Sequence, residues 1–375
     1  MSVRASSPID APQVPLPHRE ILTLEPFRQG KSVLAGVEVP IKLSANESCL
    51  GPSPAALAAY HDAAAALSRY PDGSQTALRT AIAETFGLAV EGIVCGNGSD
   101  ELLQLLIRAY LGAGDEVIFS RYSFAMAMVH ATAQGARLII VDEPALRPDV
   151  DSLLGAVTDA TRMVVLASPN NPVGQYLPED ELWRLHRMLP RHVLLVLDSA
   201  YADYVVAGDY ECGAALVDAG PNVVMTRTFS KLYGLAGLRI GWCYAPRDVV
   251  DVLQRIRTPF NASGPAMAAA AAAVRDTGHT AYVRDYNRRE IARIAAAVAK
   301  RCPGVEFVPS SANFYLLRFD DGRRTAEGAA AALERRGIIP RPVAAGGPER
   351  CLRITIGLVP ENNAVLDVLA EYVCG

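Results

Sequence analysis

From about residue 92 onward, the sequence repeats one pattern, in which a short apolar run ends in turn residues and is followed by a helical stretch. The segments GIVCGNGSD, DEVIFS and TRMVVLASPNNP each begin such a unit. Strands that alternate with helices predict an α/β layer with a mainly parallel sheet. Residues 193–197 are continuously apolar, which is typical of a strand covered on both faces. We therefore expect a large domain with a mainly parallel sheet flanked by helices.

The pattern changes in the last third of the chain. An Ala-rich helical stretch and a charged one at 281–301 precede two strand-like segments, ANFYLLRF and CLRITIG, which are separated by another helix at 326–336. This order predicts a smaller α+β domain. We predict three parts, namely an N-terminal arm at 1–40 that joins the small domain, a large domain at 41–265 and the small domain at 266–375.

Charge and composition exclude several classes of function. The formal charge of −4 and the absence of Lys/Arg-rich runs argue against a nucleic-acid partner. The seven cysteines and six histidines form neither C-x-x-C nor H-E-x-x-H, so we expect no metal site and reduced thiols in a cytoplasmic protein. The proline-containing N terminus does not resemble a signal peptide. No apolar run approaches the roughly 20 residues that a membrane span requires.

Polar residues follow several predicted strands, at the sheet edge where open α/β sheets bind ligands. Gly98, Ser99 and Asp100 open a helix after the strand at 93–95, so backbone N–H groups there can face an anion. The same residues also fit a simple strand-to-helix turn capped by Ser99. Asn171 in SPNNP can donate to a ligand hydroxyl, or it can belong to an ordinary Asn-Pro turn.

Four charged residues extend this set. Asp198 ends the apolar run, and a carboxylate there is costly unless a cation lies against it. Lys231 lies beyond the next strand, where apolar neighbours can favour the neutral amine used in Schiff-base chemistry, although an exposed lysine would also fit. Arg239 follows eight residues later. Arg353 in the LRITI alternation suits a carboxylate ligand, or it is a surface arginine of a strand.

Together these residues describe the surroundings of one ligand. They provide an anion cradle, an anionic partner for a ring nitrogen, a donor to a ring oxygen and a primary amine. Pyridoxal phosphate has the matching groups. The chain contains four lysines, and Lys231 is the only one between Lys42 and Lys300. An amine that can deprotonate explains why arginine does not occupy that position.

The chain resembles the fold-type I pyridoxal-phosphate aminotransferases and, within them, the histidinol-phosphate aminotransferases. The resemblance runs from about residue 41 to the C terminus and is carried by KLSANE, RYPDG, GNGSDE, SPNNPVG, DSAY, RTFSKLYGLAGLRIG, SANF and LRITIG. It implies the fold-type I architecture with pyridoxal 5'-phosphate as cofactor. The implied reaction is histidinol phosphate plus 2-oxoglutarate to imidazole acetol phosphate plus glutamate, in histidine biosynthesis.

The resemblance also implies roles for the cofactor residues. Lys231 would carry the cofactor as a Schiff base, and Asp198 would keep the pyridine nitrogen protonated. Tyr70 would reach the phosphate bound by the neighbouring subunit, which implies a homodimer with shared active sites. The remaining cofactor residues are those around the phosphate and the ring, namely Ser99, Asp100, Ser230, Arg239, Tyr122, Asn171 and Tyr201.

For the substrate, the resemblance implies that Arg353 binds a carboxylate, that Arg341 binds the phosphate of histidinol phosphate, and that Asn46 and Asn313 line the pocket. The chain departs from the family pattern at four positions, which we expect around the distal end of the substrate. They are Phe27, Ala127, Val173 and Ser199.

Three other functions compete with this one. An aromatic amino-acid aminotransferase would use the same scaffold, and so would a threonine-phosphate decarboxylase, because bond orientation over the ring selects the reaction. A cofactor-dependent transcription regulator would need a DNA-binding domain of roughly 60 residues before the cofactor domain. Only about 40 irregular residues precede KLSANE, so we reject the regulator.

Overall fold

The computed structural model describes residues 16–26, 30–319, 322–343 and 347–375. The helices of these residues are α1 Pro54–Ala63, α2 Thr76–Phe86, α3 Gly98–Tyr110, α4 Ala125–Ala133, α5 Val150–Gly155, α6 Glu179–Met188, α7 Ala214–Ala219, α8 Arg247–Ile256, α9 Gly264–Arg275, α10 Thr277–Arg301, α11 Ala326–Arg335 and α12 Val359–Cys374. The strands are β1 Ile41–Lys42, β2 Ile93–Gly96, β3 Glu116–Ser120, β4 Arg137–Val141, β5 Thr161–Ala167, β6 Leu194–Asp198, β7 Val223–Thr228, β8 Gly241–Tyr244, β9 Val305–Val308, β10 Phe314–Phe319, β11 Ile338–Ile339, β12 Arg341–Pro342 and β13 Cys351–Thr355.

A seven-stranded sheet forms the centre of the large domain, in the order β2-β8-β7-β6-β5-β3-β4. Only β8 runs antiparallel to its neighbours, so the prediction of a mainly parallel sheet is confirmed. Along β6, Leu195 and Leu197 belong to the apolar core on one face, while Leu194 and Val196 belong to the core on the other. The strand is therefore covered on both sides, as its unbroken apolar sequence predicts.

The small domain contains a four-stranded antiparallel sheet in the order β12-β13-β10-β9, and α10, α11 and α12 pack with it around a separate apolar core. Strand β1 pairs in parallel with β11, so the start of the predicted large domain joins the small domain by backbone hydrogen bonds. Helix α9, beyond the predicted boundary at 265, packs against α1 and α2. The exact division of the chain at residues 40 and 265 stays a prediction.

Within the described part of the chain, no helix is long and apolar enough to cross a membrane. Among the described residues, no pair of cysteines forms a disulfide bond.

Candidate active site

Asp198 is the last residue of β6, and its side chain is buried at the edge where several parallel strands end. The Thr226 hydroxyl on the neighbouring strand lies 3.4 Å from one carboxylate oxygen. Burial raises the pKa of Asp198 to about 6, and the negative charge of Asp100 acts in the same direction. The N–H of Ala200, the Thr226 hydroxyl and the charge of Lys231 partly offset this effect. A buried carboxylate of this kind calls for a cationic partner.

Lys231 follows β7, and its Nζ donates to the Ala45 carbonyl at 3.4 Å. The same nitrogen lies 5.6 Å from the centre of the Tyr201 ring. Among the described residues, no carboxylate lies within ion-pair distance of Lys231. The amine is therefore held in place by a weak acceptor and an aromatic face, and it remains available for covalent chemistry.

The N terminus of α3 forms one side of an anion cradle. Asn97 makes no side-chain cap, so the first N–H groups of the helix are left for another acceptor. A Cβ added at Gly98 would lie 2.6 Å from an Arg239 guanidinium nitrogen, and one added at Gly241 would lie 2.4 Å from the Ser99 nitrogen. Only glycine permits this close approach of Arg239 and the helix terminus.

Ser230 completes the cradle, because its hydroxyl accepts from Arg239 at 3.3 Å. The Asp100 carboxylate faces His130 and not the cradle, and both of its oxygens lie 3.4 Å from His130 Nε2. An anion in the cradle would be repelled by that carboxylate, so only the backbone N–H of Asp100 suits a phosphate. His130 was not among the predicted site residues, and its position on α4 gives no sequence signal for this contact.

Arg353 connects the small domain to the strand-end residues. It is buried, and it donates to Asn171 Oδ1 and, at 2.6 Å, to the Ser44 carbonyl. Burial lowers the pKa of Arg353 to about 10; Tyr201 counteracts this effect and the charge of Arg341 adds to it. The guanidinium still carries its charge at neutral pH. Arg341 lies directly opposite Arg353 in the antiparallel pair of β12 and β13.

The loop after β1 joins these groups, and sequence analysis predicted only Asn46 from it. Asn46 has a positive φ of 55°, and its side-chain amide donates to the Tyr201 hydroxyl at 2.8 Å. Asn313 donates to the Asn46 carbonyl at 3.0 Å, and the Thr355 hydroxyl lies 3.2 Å from Asn46 Oδ1. The adjacent carbonyls of Ser44 and Ala45 accept from Arg353 and Lys231. Backbone acceptors of this kind cannot be predicted from the residue types.

Tyr122 lies on the loop after β3, which is fixed by a buried polar pair. Its N–H donates to Glu143 Oε1 at 3.0 Å, and Asn170 donates to the other oxygen of Glu143 at 3.1 Å. Burial raises the pKa of Glu143. Neither Glu143 nor Asn170 was predicted as a site residue, although Asn170 belongs to the SPNNP motif. They set the position of Tyr122 relative to Asn171.

Tyr70 lies apart from the other predicted residues of its own chain. Its side chain is 82% exposed and stacks on Phe260, with ring centres 4.6 Å apart. Both rings line a cleft of about 640 Å³ that continues to Asn97 and Arg239. The cleft therefore leads from Tyr70 to the anion cradle.

The four departures from the family pattern have different surroundings. Ala127 is buried in an apolar core of the large domain, and Ser199 is buried and donates to the Cys212 carbonyl at 2.6 Å. Both side chains pack into the interior, and a position at the distal end of the substrate stays a prediction for both. Val173 is buried in a cluster that Tyr122 borders. Phe27 lies outside the described residues.

The donor set fits pyridoxal phosphate. A cation-lined helix terminus suits the phosphate, the buried Asp198 suits a protonated ring nitrogen, and Lys231 suits the carbonyl carbon. The described residues contain no cluster of side chains that could hold a metal ion. The structure brings together Ser99, Asp198, Tyr201, Ser230, Lys231, Arg239, Asn46, Asn171, Asn313, Arg341 and Arg353 around one region, with Tyr122 on an adjoining loop.

Known proteins resemble this chain over nearly its full length. The histidinol-phosphate aminotransferase of Rhodospirillum centenum is 46% identical over 361 residues, which cover 96% of this chain and 99% of the relative. That of Paramagnetospirillum magneticum is 45% identical over 360 residues, with coverage of 96% and 99%.

Solved structures agree with these relatives. The histidinol-phosphate aminotransferase of Sinorhizobium meliloti, solved in complex with pyridoxal-5'-phosphate, has a TM-score of 0.85 and 30% identity and covers 100% of this chain and 99% of its own. An aspartate aminotransferase of Thermus thermophilus shares the fold, with a TM-score of 0.80 at 22% identity and coverage of 94% and 98%. The family model described as aminotransferase class I and II matches residues 38–369. The chain therefore belongs to the class I and II aminotransferases.

Proposed function

We propose that the chain is a pyridoxal-phosphate-dependent aminotransferase that converts histidinol phosphate and 2-oxoglutarate to imidazole acetol phosphate and glutamate. Arg353 and Arg341 carry this proposal, because they lie opposite each other beside the Lys231 site. Neither has an acidic partner among the residues that the structure describes. Histidinol phosphate has a phosphate and no carboxylate, so its recognition depends on paired cations. The 45–46% identical relatives support the same substrate.

The contacts of each residue support its proposed role in cofactor binding. Lys231 Nζ would be the covalent attachment point, and Asp198 would hold the proton on the ring nitrogen. Ser99, Ser230 and Arg239 surround the phosphate. When bound, the cofactor supplies a carbonyl for the substrate amine and an electron-accepting ring.

Lys231 also moves the proton. Its neutral Nζ would take the proton from the substrate carbon that bears the nitrogen, while the bound cofactor would supply the electron-accepting ring. The Ala45 carbonyl and the Tyr201 ring hold the side chain on one side of the site. A positioned general base typically contributes about 10²–10⁴-fold to the rate.

Asn171 and Arg353 connect substrate binding to the cofactor ring. Arg353 donates to Asn171, so the same guanidinium contacts a residue at the ring and faces the substrate anion. Tyr201 is tied to Asn46, which in turn is tied to Asn313 and Thr355 of the small domain. When the large and small domains are in contact, these hydrogen bonds fix the orientation of the side chains that line the substrate pocket.

We further propose a cytoplasmic homodimer in which Tyr70 of the partner subunit reaches the phosphate. The support is an exposed apolar surface made of Leu67, Tyr70 and Phe260 next to the cleft that leads to Arg239. An exposed aromatic surface of this kind marks a protein interface more often than a free surface. Light scattering should give twice the chain mass, and a monomer that transaminates at full rate would contradict the shared site.

One experiment tests the substrate. The purified holoenzyme is mixed separately with histidinol phosphate, phenylalanine, tyrosine, glutamate and threonine phosphate, and the visible absorption of the cofactor is followed. We expect its rapid loss with histidinol phosphate and with glutamate. Inertness toward histidinol phosphate contradicts the proposal. A fast reaction with phenylalanine or tyrosine alone would favour the aromatic enzyme, and release of carbon dioxide from threonine phosphate would favour the decarboxylase.

A further inference from the structure

Arg341 lies against a glycine of the N-terminal segment. A Cβ added at Gly30 would lie 2.2 Å from Nη1 of Arg341 and 3.4 Å from its Cζ. The guanidinium thus packs directly on the backbone of residue 30. Among the described residues, Arg341 has no hydrogen bond or ion pair, and the like-charged Arg353 lies opposite it in the sheet.

We propose that Gly30 is a positioning residue for the phosphate of the substrate, an inference that rests on the proposed function. Because residue 30 has no side chain, the Arg341 guanidinium can lie beside Arg353, and no described residue accepts a hydrogen bond from it. A methyl group at residue 30 displaces the guanidinium while leaving the Lys231 site unchanged. Gly30 therefore acts on recognition of the phosphate and has no direct part in the reaction.

The segment that carries Gly30 is fixed to the small domain. Lys31 pairs with Glu334 of α11 at 2.7 Å. Further along, the Val37 side chain lies over Gly337, and Ile41 donates to the Gly337 carbonyl at 2.9 Å. These contacts oppose a shift of the segment away from Arg341.

The side chain of Arg341 moves instead. Its backbone is held opposite Arg353 by the pairing of β12 with β13. The clashing atom is the far end of a long, flexible side chain, which moves at little cost to the fold. Losing a charge-assisted contact to a phosphate weakens binding by about 10- to 100-fold.

The test compares two ligands that differ only in the phosphate, histidinol phosphate and histidinol. Calorimetry measures their dissociation constants for the cofactor-loaded Lys231→Arg protein, in which we expect turnover to fall by at least about 10²-fold. Gly30→Ala, Arg341→Gln and the double variant are made in that background. Gly208→Ala is the matched control, because an added Cβ there meets nothing within 4 Å.

We expect Gly30→Ala to weaken binding of histidinol phosphate by about 10-fold or more and to leave histidinol unchanged. In the Arg341→Gln background the same change should have no further effect. The inference is overturned if both ligands weaken equally, if neither weakens, or if the effect persists without Arg341. Equal affinity of the Lys231→Arg parent for the two ligands would instead remove the proposed function itself.

In the otherwise unchanged enzyme, Gly30→Ala should raise KM for histidinol phosphate while kcat stays within about twofold. Melting temperatures of Gly30→Ala and Gly208→Ala should agree, which separates displacement of Arg341 from partial unfolding. A lowered kcat at unchanged KM would contradict a positioning role.

Discussion

Replacement of Asp198 by asparagine should stabilise the cofactor-free protein while it abolishes efficient turnover. The pKa of Asp198 is raised from an ordinary 3.8 to about 6, chiefly by burial. Since one pH unit corresponds to about 1.4 kcal/mol, holding this carboxylate ionised in the folded chain costs about 3 kcal/mol. Asparagine has nearly the same shape, and its oxygen can accept from the Ala200 N–H and the Thr226 hydroxyl.

The sign of the pH dependence follows from the raised pKa. Between pH 3.8 and about 6 the folded protein binds more protons at Asp198 than the unfolded chain does. Wild-type stability without cofactor therefore falls as pH rises through this window. The Asp198→Asn variant lacks this term, so its advantage should be absent below the window and should reach about 3 kcal/mol above it.

Denaturant unfolding of the cofactor-free proteins, measured at about pH 4, 5, 6 and 8, gives the difference in the free energy of unfolding at each pH. Asp251→Asn is the control, because Asp251 is exposed on α8. Added pyridoxal phosphate should stabilise the wild type more than Asp198→Asn. A difference that does not change with pH, or a variant less stable than the wild type above pH 6, would refute the reasoning.

Three further predictions concern two residues of the site and one buried ion pair of the large domain. Lys231→Arg should bind the cofactor without a bond that borohydride can reduce, and turnover should fall by at least about 10²-fold; near-normal turnover would remove Lys231 from its role. Gly241→Ala places a Cβ 2.4 Å from the Ser99 nitrogen, so equilibrium dialysis should show cofactor binding weakened about tenfold, and unchanged affinity would contradict the cradle. Asp203→Asn removes the buried anion that Arg227 contacts, and it should lower the free energy of unfolding by about 3–5 kcal/mol in denaturant; a loss below about 1 kcal/mol would count against a paired charge.

Sequence predicted the large sheet because its strands are rich in apolar residues and alternate with helices, and this local pattern was sufficient. The pairing of β1 with β11 and the packing of α9 on α1 and α2 were not predicted. Both depend on contacts between distant parts of the chain, and neither a two-residue strand nor an Ala-rich helix specifies its partner by residue type.

Site residues at strand ends were predictable because the ends of parallel strands meet at one edge of the sheet. Prediction was weaker where a contact depends on the direction in which a side chain points. Ala127 and Ser199 lie near the site in sequence, yet their side chains face the interior. The carbonyls of Ser44 and Ala45 act through the backbone, so the residue types alone gave no signal for them.

Several polar groups of the site lack partners within the described chain. Arg353 Nε and Asn313 Oδ1 are buried without a hydrogen bond, and Asp198 is buried with a raised pKa. Each of these groups lowers the stability of the ligand-free fold. A purely structural site would be more stable with paired or apolar residues at these positions. The groups therefore match a ligand that brings a cation to Asp198 and an anion to Arg353.

The neighbouring Asp203 differs from Asp198 because its buried carboxylate has a cationic partner inside the chain. It lies five residues beyond Asp198, is equally buried, and is paired inside the chain with Arg227 and the Tyr233 hydroxyl. Asparagine at Asp203 leaves a buried arginine without its counter-ion, whereas asparagine at Asp198 removes a charge that forms no ion pair among the described residues. One substitution at two buried aspartates should thus change the stability of the cofactor-free protein in opposite directions. A site that a cationic ligand group completes accounts for that difference in sign.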